Sequence, residues 1–146
     1  MKRALLDVNA LIALIDEEHI HHAQILEWLQ RDEHLPHGFA TCAITQLGLI
    51  RVMSSKGYFK PVEPHLLATK LARLTRKGHR YLDIPAPIHI GDSGIRWQET
   101  SSRQSTDSTL LATAVAHGCR LVTFDAAIKA RTVVGAKPGH LVVIAA

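Results

Sequence analysis

Short apolar runs alternate with amphipathic stretches along the whole chain, and this alternation predicts strands separated by helices. Arg3 to Asp7 is a brief apolar run closed by a carboxylate, the pattern of a buried strand. Asn9 follows as a candidate N-cap for a short apolar helix, Ala10 to Ile15. From about Ile20 to Gln30, Ile25, Leu26, Trp28 and Leu29 lie among polar residues as on one face of an amphipathic helix. Pro36 and Gly38 then break the chain before a second strand, Phe39 to Cys42. Ile44 to Met53 reads as the next helix, with Leu47, Ile50 and Met53 on one face and Gly57 and Pro61 after its end.

Pro64 occupies the place of a first-turn proline, and Leu66, Leu67, Leu71 and Leu74 recur at helical spacing up to Gly78. Tyr81 to Ile84 is another strand, stopped by Pro85 and Pro87. Ile88 to Arg103 is polar with little periodicity and predicts a loop with one turn of helix. The clearest helix comes next: Ser105 or Thr106 caps it, Leu110, Leu111, Ala114 and Val115 form its buried face, and Gly118 supplies a left-handed stop. Cys119 to Phe124 is a strand ending at Asp125, Ala126 to Ala130 reads as one or two helical turns, and Leu141 to Ile144 closes as a strand. Strands joined through helices predict a mostly parallel central sheet covered on both faces. The fold class is therefore α/β, a single three-layer α/β/α domain over residues 1–146.

Composition agrees with one ordinary domain. The chain has 146 residues, 47% apolar and 21% charged, which excludes disordered and low-complexity classes. No apolar run approaches the ~18–20 residues that span a bilayer. Met1-Lys2-Arg3 begins like a signal peptide, but Asp7 interrupts it and no small-residue cleavage site follows the next apolar stretch. Cys42 and Cys119 are too few for a disulfide framework and lack metal-type spacing. The expectation is a soluble, cytoplasmic protein with no membrane contact. Lys and Arg number 17 against 13 acidic residues, a net charge of +4, with 10 histidines that add to it on acidification. The excess leans toward a polyanionic partner without requiring one.

Three aspartates share a positional logic. Asp7 and Asp125 each close a strand at its carboxyl end, where open parallel sheets bind their ligands. Asp107 lies in the first turn of a helix that starts at the same edge. Each has a simpler reading as well: a helix dipole favours Asp107, and Asp125 can cap a short helix. Asp7 is harder to dismiss, because a buried unpaired carboxylate is costly. Together the three repel one another unless a cation compensates. Oxygen-only ligands suit Mg²⁺ or Mn²⁺, and a carboxylate-held hard ion in an α/β cleft suits phosphodiester or phosphoryl chemistry.

At this point a family resemblance is visible. Leu5-Leu6-Asp7-Val8-Asn9-Ala10-Leu11-Ile12-Ala13-Leu14 resembles the opening of PIN-domain ribonucleases, specifically the VapC toxins of type II toxin–antitoxin pairs. Thr106-Asp107-Ser108-Thr109-Leu110-Leu111-Ala112-Thr113-Ala114-Val115-Ala116-His117-Gly118, followed by Arg120-Leu121-Val122-Thr123-Phe124-Asp125, resembles the second half of that family's site. The resemblance implies that Asp7, Asp107 and Asp125 are catalytic and metal-binding. The family's remaining acidic position, usually Glu, falls on Gln46, which carries no charge and cannot act as a base. The resemblance further implies an endoribonuclease using Mg²⁺ or Mn²⁺, an RNA substrate, a small cognate antitoxin of the VapB type, and a homodimer.

Other residues take supporting expectations. Asn9 is a cap that could also orient a metal-bound water, and the Thr123 hydroxyl points to the same side as Asp125. Arg51 is near enough to the Gln46 face to meet phosphate or pair with a carboxylate. Arg96, Arg103, Lys129 and Arg131 flank the two halves of the site, and at least some of them are expected to contact RNA backbone. Trp97 is the candidate to stack on a base or bury against a partner, and Trp28 to lie in the core or an antitoxin interface. His19, His21 and His22 lack companions for a ligand set beyond Glu18 and read as solvated. A competing reading, prompted by Gln46, is a catalytically weak RNA- or partner-binding module. A haloacid-dehalogenase-type phosphatase is disfavoured because Asn9 stands where its second aspartate is needed, and a response-regulator receiver because Asp7 has no adjacent acidic pair.

Overall fold

The computed structural model describes residues 3–31, 33–34, 36–76, 81–83, 90–92 and 94–145. Its sheet contains β1 (Ala4–Leu6), β2 (Phe39–Thr41), β3 (Tyr81–Asp83), β4 (Arg120–Thr123) and β5 (Leu141–Val143) in the order β3-β2-β1-β4-β5. Every pairing is parallel, with Leu5 opposite Ala40 on one side and Leu121 on the other. The chain builds outward from β1 to β3, then crosses back to lay β4 on the other side of β1. The gap between β1 and β4 is thus the point where strand order reverses.

Both faces of the sheet are covered, as near-continuous apolar strands require. Ala4, Leu6, Phe39 and Val122 point into a core shared with α1 (Val8–Ile15), α2 (His22–Gln30), α3 (Ala43–Met53) and α4 (Pro64–Arg76). Leu5, Ala40 and Leu121 point the other way, into a core built with α5 (Ser105–Ala116). The three-layer α/β/α expectation holds, with the parallel character complete among the named strands.

Several local expectations are corrected. Asn9 is not the N-cap of α1; Asp7 is, accepting the Val8 backbone N–H at 2.7 Å, so the helix starts two residues earlier than Ala10. Neither Ser105 nor Thr106 caps α5, which opens at Ser105 behind Gln104 with no side-chain cap. Residues 126–129 are not helical; a turn is followed by a 3₁₀ turn at Ala130–Thr132. The loop from 88 onward holds 3₁₀ turns at Ile90–Asp92, Trp97–Glu99 and Ser102–Gln104 rather than one turn. On α3 the buried stripe is Thr45, Leu49 and Met53, leaving Leu47 57% exposed. The reason is a close crossing: a Cβ on Gly48 would meet Val8 Cγ2 at 2.6 Å, so the glycine lets α3 lie against α1. Gly118 does end α5, at φ 64°. The expected strand end at Ile84 and helix end at Gly78 lie outside the described residues.

Candidate active site

The switch point between β1 and β4 gathers the polar groups. Asp7 follows directly on β1 and its backbone N–H pairs with the Val122 carbonyl at 2.9 Å, which ties it to β4. One carboxylate oxygen caps α1 through the Val8 N–H, and the other accepts the Thr123 hydroxyl at 2.7 Å. Thr123 is fully buried, and its oxygen also accepts the Asp125 backbone N–H at 3.0 Å and the Asn9 side-chain N–H at 3.2 Å. Asn9 returns its carbonyl oxygen to the Phe124 backbone N–H at 3.2 Å. One hydroxyl therefore joins the ends of β1, α1 and β4. Thr123 bonds the carboxylate itself, and Asn9, inside α1, serves the β4 end instead of capping the helix.

Asp125 accepts the Ala127 N–H at 2.8 Å, which turns the chain immediately after β4. Asp107 arrives from α5, whose first turn stands at the same sheet edge because the helix runs antiparallel to β4. Burial pushes the Asp107 carboxyl up to about 6, and the charges of Asp7 and Asp125 push in the same direction. Burial likewise raises Asp7, opposed by its bonds from Thr123 and Val8 and reinforced by the charge of Asp125. The charges of Asp7 and Asp125 thus reach Asp107, and that of Asp125 reaches Asp7, at one edge of the sheet. Among the described residues, no three His, Cys, Asp or Glu side chains form a ready-made metal cage. The donor set suits an open, partly hydrated hard cation held by a few oxygens, and mutual repulsion is what such an ion would relieve.

Gln46 lies early in α3, one strand over from Asp7, and its Nε2 donates to Thr41 Oγ1 at 3.0 Å. Arg51 is exposed in the last turn of that helix, about 7.5 Å further along its axis by the rise per residue. Arg96 is engaged in its own loop: Nη1 donates to the Arg131 carbonyl at 2.5 Å and Nε lies 3.7 Å from Glu99. Arg103 is exposed in the 3₁₀ turn that precedes α5, and Lys129 and Arg131 are exposed on the segment reaching Thr132. That segment is anchored beside Asp107, because the Thr132 and Ser108 hydroxyls are 3.0 Å apart. Trp97 is 37% exposed with its indole N–H on the Ile90 carbonyl, whereas Trp28 is core.

The histidines of the α1–α2 connection are not simply solvated. His22 Nδ1 donates to the Ala13 carbonyl at 2.7 Å, His19 Nδ1 accepts the His21 backbone N–H at 3.0 Å, and the His21 ring stacks on Phe124 at 4.6 Å. Sequence reasoning missed this stack and the Ser108–Thr132 contact. The adjacency of Phe124 and Ser108 to two of the aspartates was the available signal.

Comparison with known proteins places this architecture. A family model for the PIN domain matches residues 4–133. Ribonuclease VapC44 of Mycobacterium tuberculosis is 42% identical over 142 residues, covering 95% of this chain and 97% of that protein. Ribonuclease VapC39 of the same organism is 38% identical over 127 residues, covering 86% and 90%. Among solved structures, Mycobacterium tuberculosis VapC20, a sarcin–ricin loop cleaving toxin, superposes with a TM-score of 0.61 at 15% identity, over 92% of this chain and 99% of that one. VapBC2 from Rickettsia felis, bound to a promoter DNA fragment, gives 0.55 at 18% identity over 96% of each chain. The solved structures support the fold and the sequence relatives the lineage: this chain belongs to the VapC family of PIN-domain ribonuclease toxins.

Proposed function

We propose that the chain is a metal-dependent endoribonuclease that hydrolyses RNA phosphodiester bonds, in tRNA or rRNA, at the cleft of Asp7, Asp107 and Asp125. The observation that carries this reading is the placing of Asp7 and Asp125 at the carboxyl ends of the paired strands β1 and β4, joined through Thr123, with Asp107 in the first turn of α5. Asp7, Asp107 and Asp125 would hold Mg²⁺ or Mn²⁺, which when bound supplies positive charge against the charge developing on the phosphodiester. Asp7 is held by two hydrogen bonds and contributes a carboxylate of fixed direction. Asp107 is more exposed, and a bound cation would relieve the repulsion that raises its carboxyl to about 6 in the metal-free chain. Thr123 joins the Asp7 carboxylate to the Asp125 backbone N–H, and Asn9 ties the Thr123 hydroxyl and the Phe124 N–H to α1. Arg103, Lys129 and Arg131 flank the Asp107 end and are assigned to the RNA backbone, with Arg96 and Arg51 in more distant supporting positions.

The partners follow from the family. A VapB-like antitoxin is proposed from the likeness to VapBC2, and a homodimer and a cytoplasmic location from the lineage. Among the described residues no helix is long and apolar enough to cross a membrane.

Gln46 favours a second reading, a catalytically weak module that binds RNA or its partner. Its amide is tied to Thr41 and adds no charge to the cleft. The test is incubation of the purified, antitoxin-free chain with total cellular RNA and Mg²⁺ or Mn²⁺, with EDTA and Asp7→Asn as controls. Discrete fragments that vanish in both controls support the nuclease. RNA binding without cleavage, and cleavage that appears only in Gln46→Glu, would establish the binding module instead.

A further inference from the structure

We propose that His21 is a positioning residue for the cleft, setting the direction of the chain at Asp125 by stacking on Phe124; the inference rests on the nuclease reading of the three aspartates. Asp125 is reached through a single residue beyond β4. That residue, Phe124, has its backbone N–H on Asn9 and its side chain against the core on the α1 side of the sheet. The His21 ring closes over it, with centroids 4.6 Å apart and planes 21° from parallel. Phe124 leads straight into Asp125, whose backbone N–H returns to Thr123 Oγ1 and whose carboxylate takes the Ala127 N–H, so a shift of the Phe124 main chain would disturb both contacts.

His21 is itself braced from several sides, ring and main chain. Its Nδ1 donates to Gln24 Oε1 at 3.0 Å, and its backbone N–H bonds to His19 Nδ1 at 3.0 Å. Its backbone carbonyl accepts the Ile25 N–H at 3.1 Å, and the neighbouring His22 ring is clamped to the α1 carbonyl of Ala13. The His19 ring leans against it at 5.5 Å. This bracing carries the rigidity of the α1–α2 connection to the strand end next to Asp125. Displacement of a reacting group by about 1 Å is worth up to 10²-fold in rate, so modest loosening is measurable.

The experiment compares His21→Ala, His21→Gln and His21→Phe in the full chain. It reads kcat and KM on a fluorophore–quencher-labelled single-stranded RNA of mixed sequence, Mn²⁺ affinity by calorimetry without RNA, and the urea midpoint. His21→Ala is expected to lower kcat about tenfold and weaken Mn²⁺ binding several-fold with KM unchanged. His21→Phe, which keeps the stacking surface, should restore both, and His21→Gln should not. Wild-type kcat in a folded His21→Ala protein overturns the inference, as does failure of His21→Phe to rescue. A change in KM alone overturns it in favour of a direct RNA contact. Asp125→Asn runs alongside: if it cleaves at the wild-type rate, the reading of the carboxylates fails and the inference falls with it. If it is inactive, the His21 results stand alone.

Discussion

The two ends of the β1–β4 pair bury charge in opposite ways. At the carboxyl end, Asp7, Asp107 and Asp125 share a cleft in which burial and like charges raise Asp7 and bring Asp107 to about 6. At the amino end, the Arg120 guanidinium lies 4.9 Å from the Trp28 ring centroid and donates to His34 Nδ1 at 2.7 Å. His34 in turn stacks on Trp28 at 3.8 Å and places Nε2 3.2 Å from Glu33. Burial draws the guanidinium below its ordinary range, with Glu33 opposing, yet its partners are an aromatic face, a neutral imidazole and a nearby carboxylate. One end therefore sets charge against its like, and the other sets a guanidinium among an aromatic face, an imidazole and a carboxylate while leaving the Arg120 Nε buried without a hydrogen-bond partner. The repelling end is the one proposed to take a cation, whereas the other packs its guanidinium against Trp28 and His34.

Substitution at each end should separate chemistry from stability. Asp7→Asn is expected to lower RNA cleavage about a thousandfold, equivalent to about 4 kcal/mol, as read by fragment yield with Mn²⁺. Its folding should be little affected, because Asn also caps helices. Cleavage retained within tenfold would end the contrast on the acidic side. At the other end, Trp28→Ala should cost about 3 kcal/mol of unfolding free energy in urea, while cleavage per folded molecule at low temperature stays near wild type. Loss of activity without loss of stability would show that the basic end also serves the cleft.

Two smaller effects concern pH. Asp107 ionises near 6 in the folded chain against an ordinary 3.8, so the metal-free protein carries an unfavourable charge above pH 6. That cost fades as pH falls from 6 toward 4, where the folded protein accepts the proton first. Asp107→Asn should then stabilise the metal-free chain by about 1 kcal/mol at pH 8, after discounting for solvent screening, and by nothing near pH 4. A constant difference across that range would remove the repulsion argument. His34 is shifted the other way, below its ordinary 6.5, by burial and by the charge of Arg120. Its contribution is complete above 6.5 and is lost as pH falls from there through its folded value, because the unfolded chain protonates first. His34→Gln should flatten the fall in urea midpoint between pH 7.5 and 5, the smallest of these effects.

The carboxyl end was the legible one. Strand runs that stop at Asp7 and Asp125, with a helix opening near Asp107, put carboxylates at one sheet edge by topology alone. Local choices among equivalent residues were less accessible. Asp7 and Asn9 are both good caps, and only the depth of β1 decides that the carboxylate takes the Val8 N–H. Leu47 and Leu49 offer α3 two apolar faces, and the approach of Gly48 to Val8 decides between them. The amino end was not legible, because His34 comes from an irregular connection without periodicity and meets Arg120 only through the fold. The His21–Phe124 stack escaped for the same reason, as its rings are far apart in sequence.

The double duty of Asp7 has an evolutionary consequence. A copy of this gene relieved of any need for toxicity would still be under pressure to keep a capping residue where β1 turns into α1 and where the Thr123 hydroxyl needs an acceptor. Asp107 caps nothing, and the folded chain gains by losing its charge. Decay in such a lineage would reach Asp107 first and Asp7 late, often only as Asn. The presence of Asp7 in such a copy would therefore say little about its site, whereas the state of Asp107 would say more.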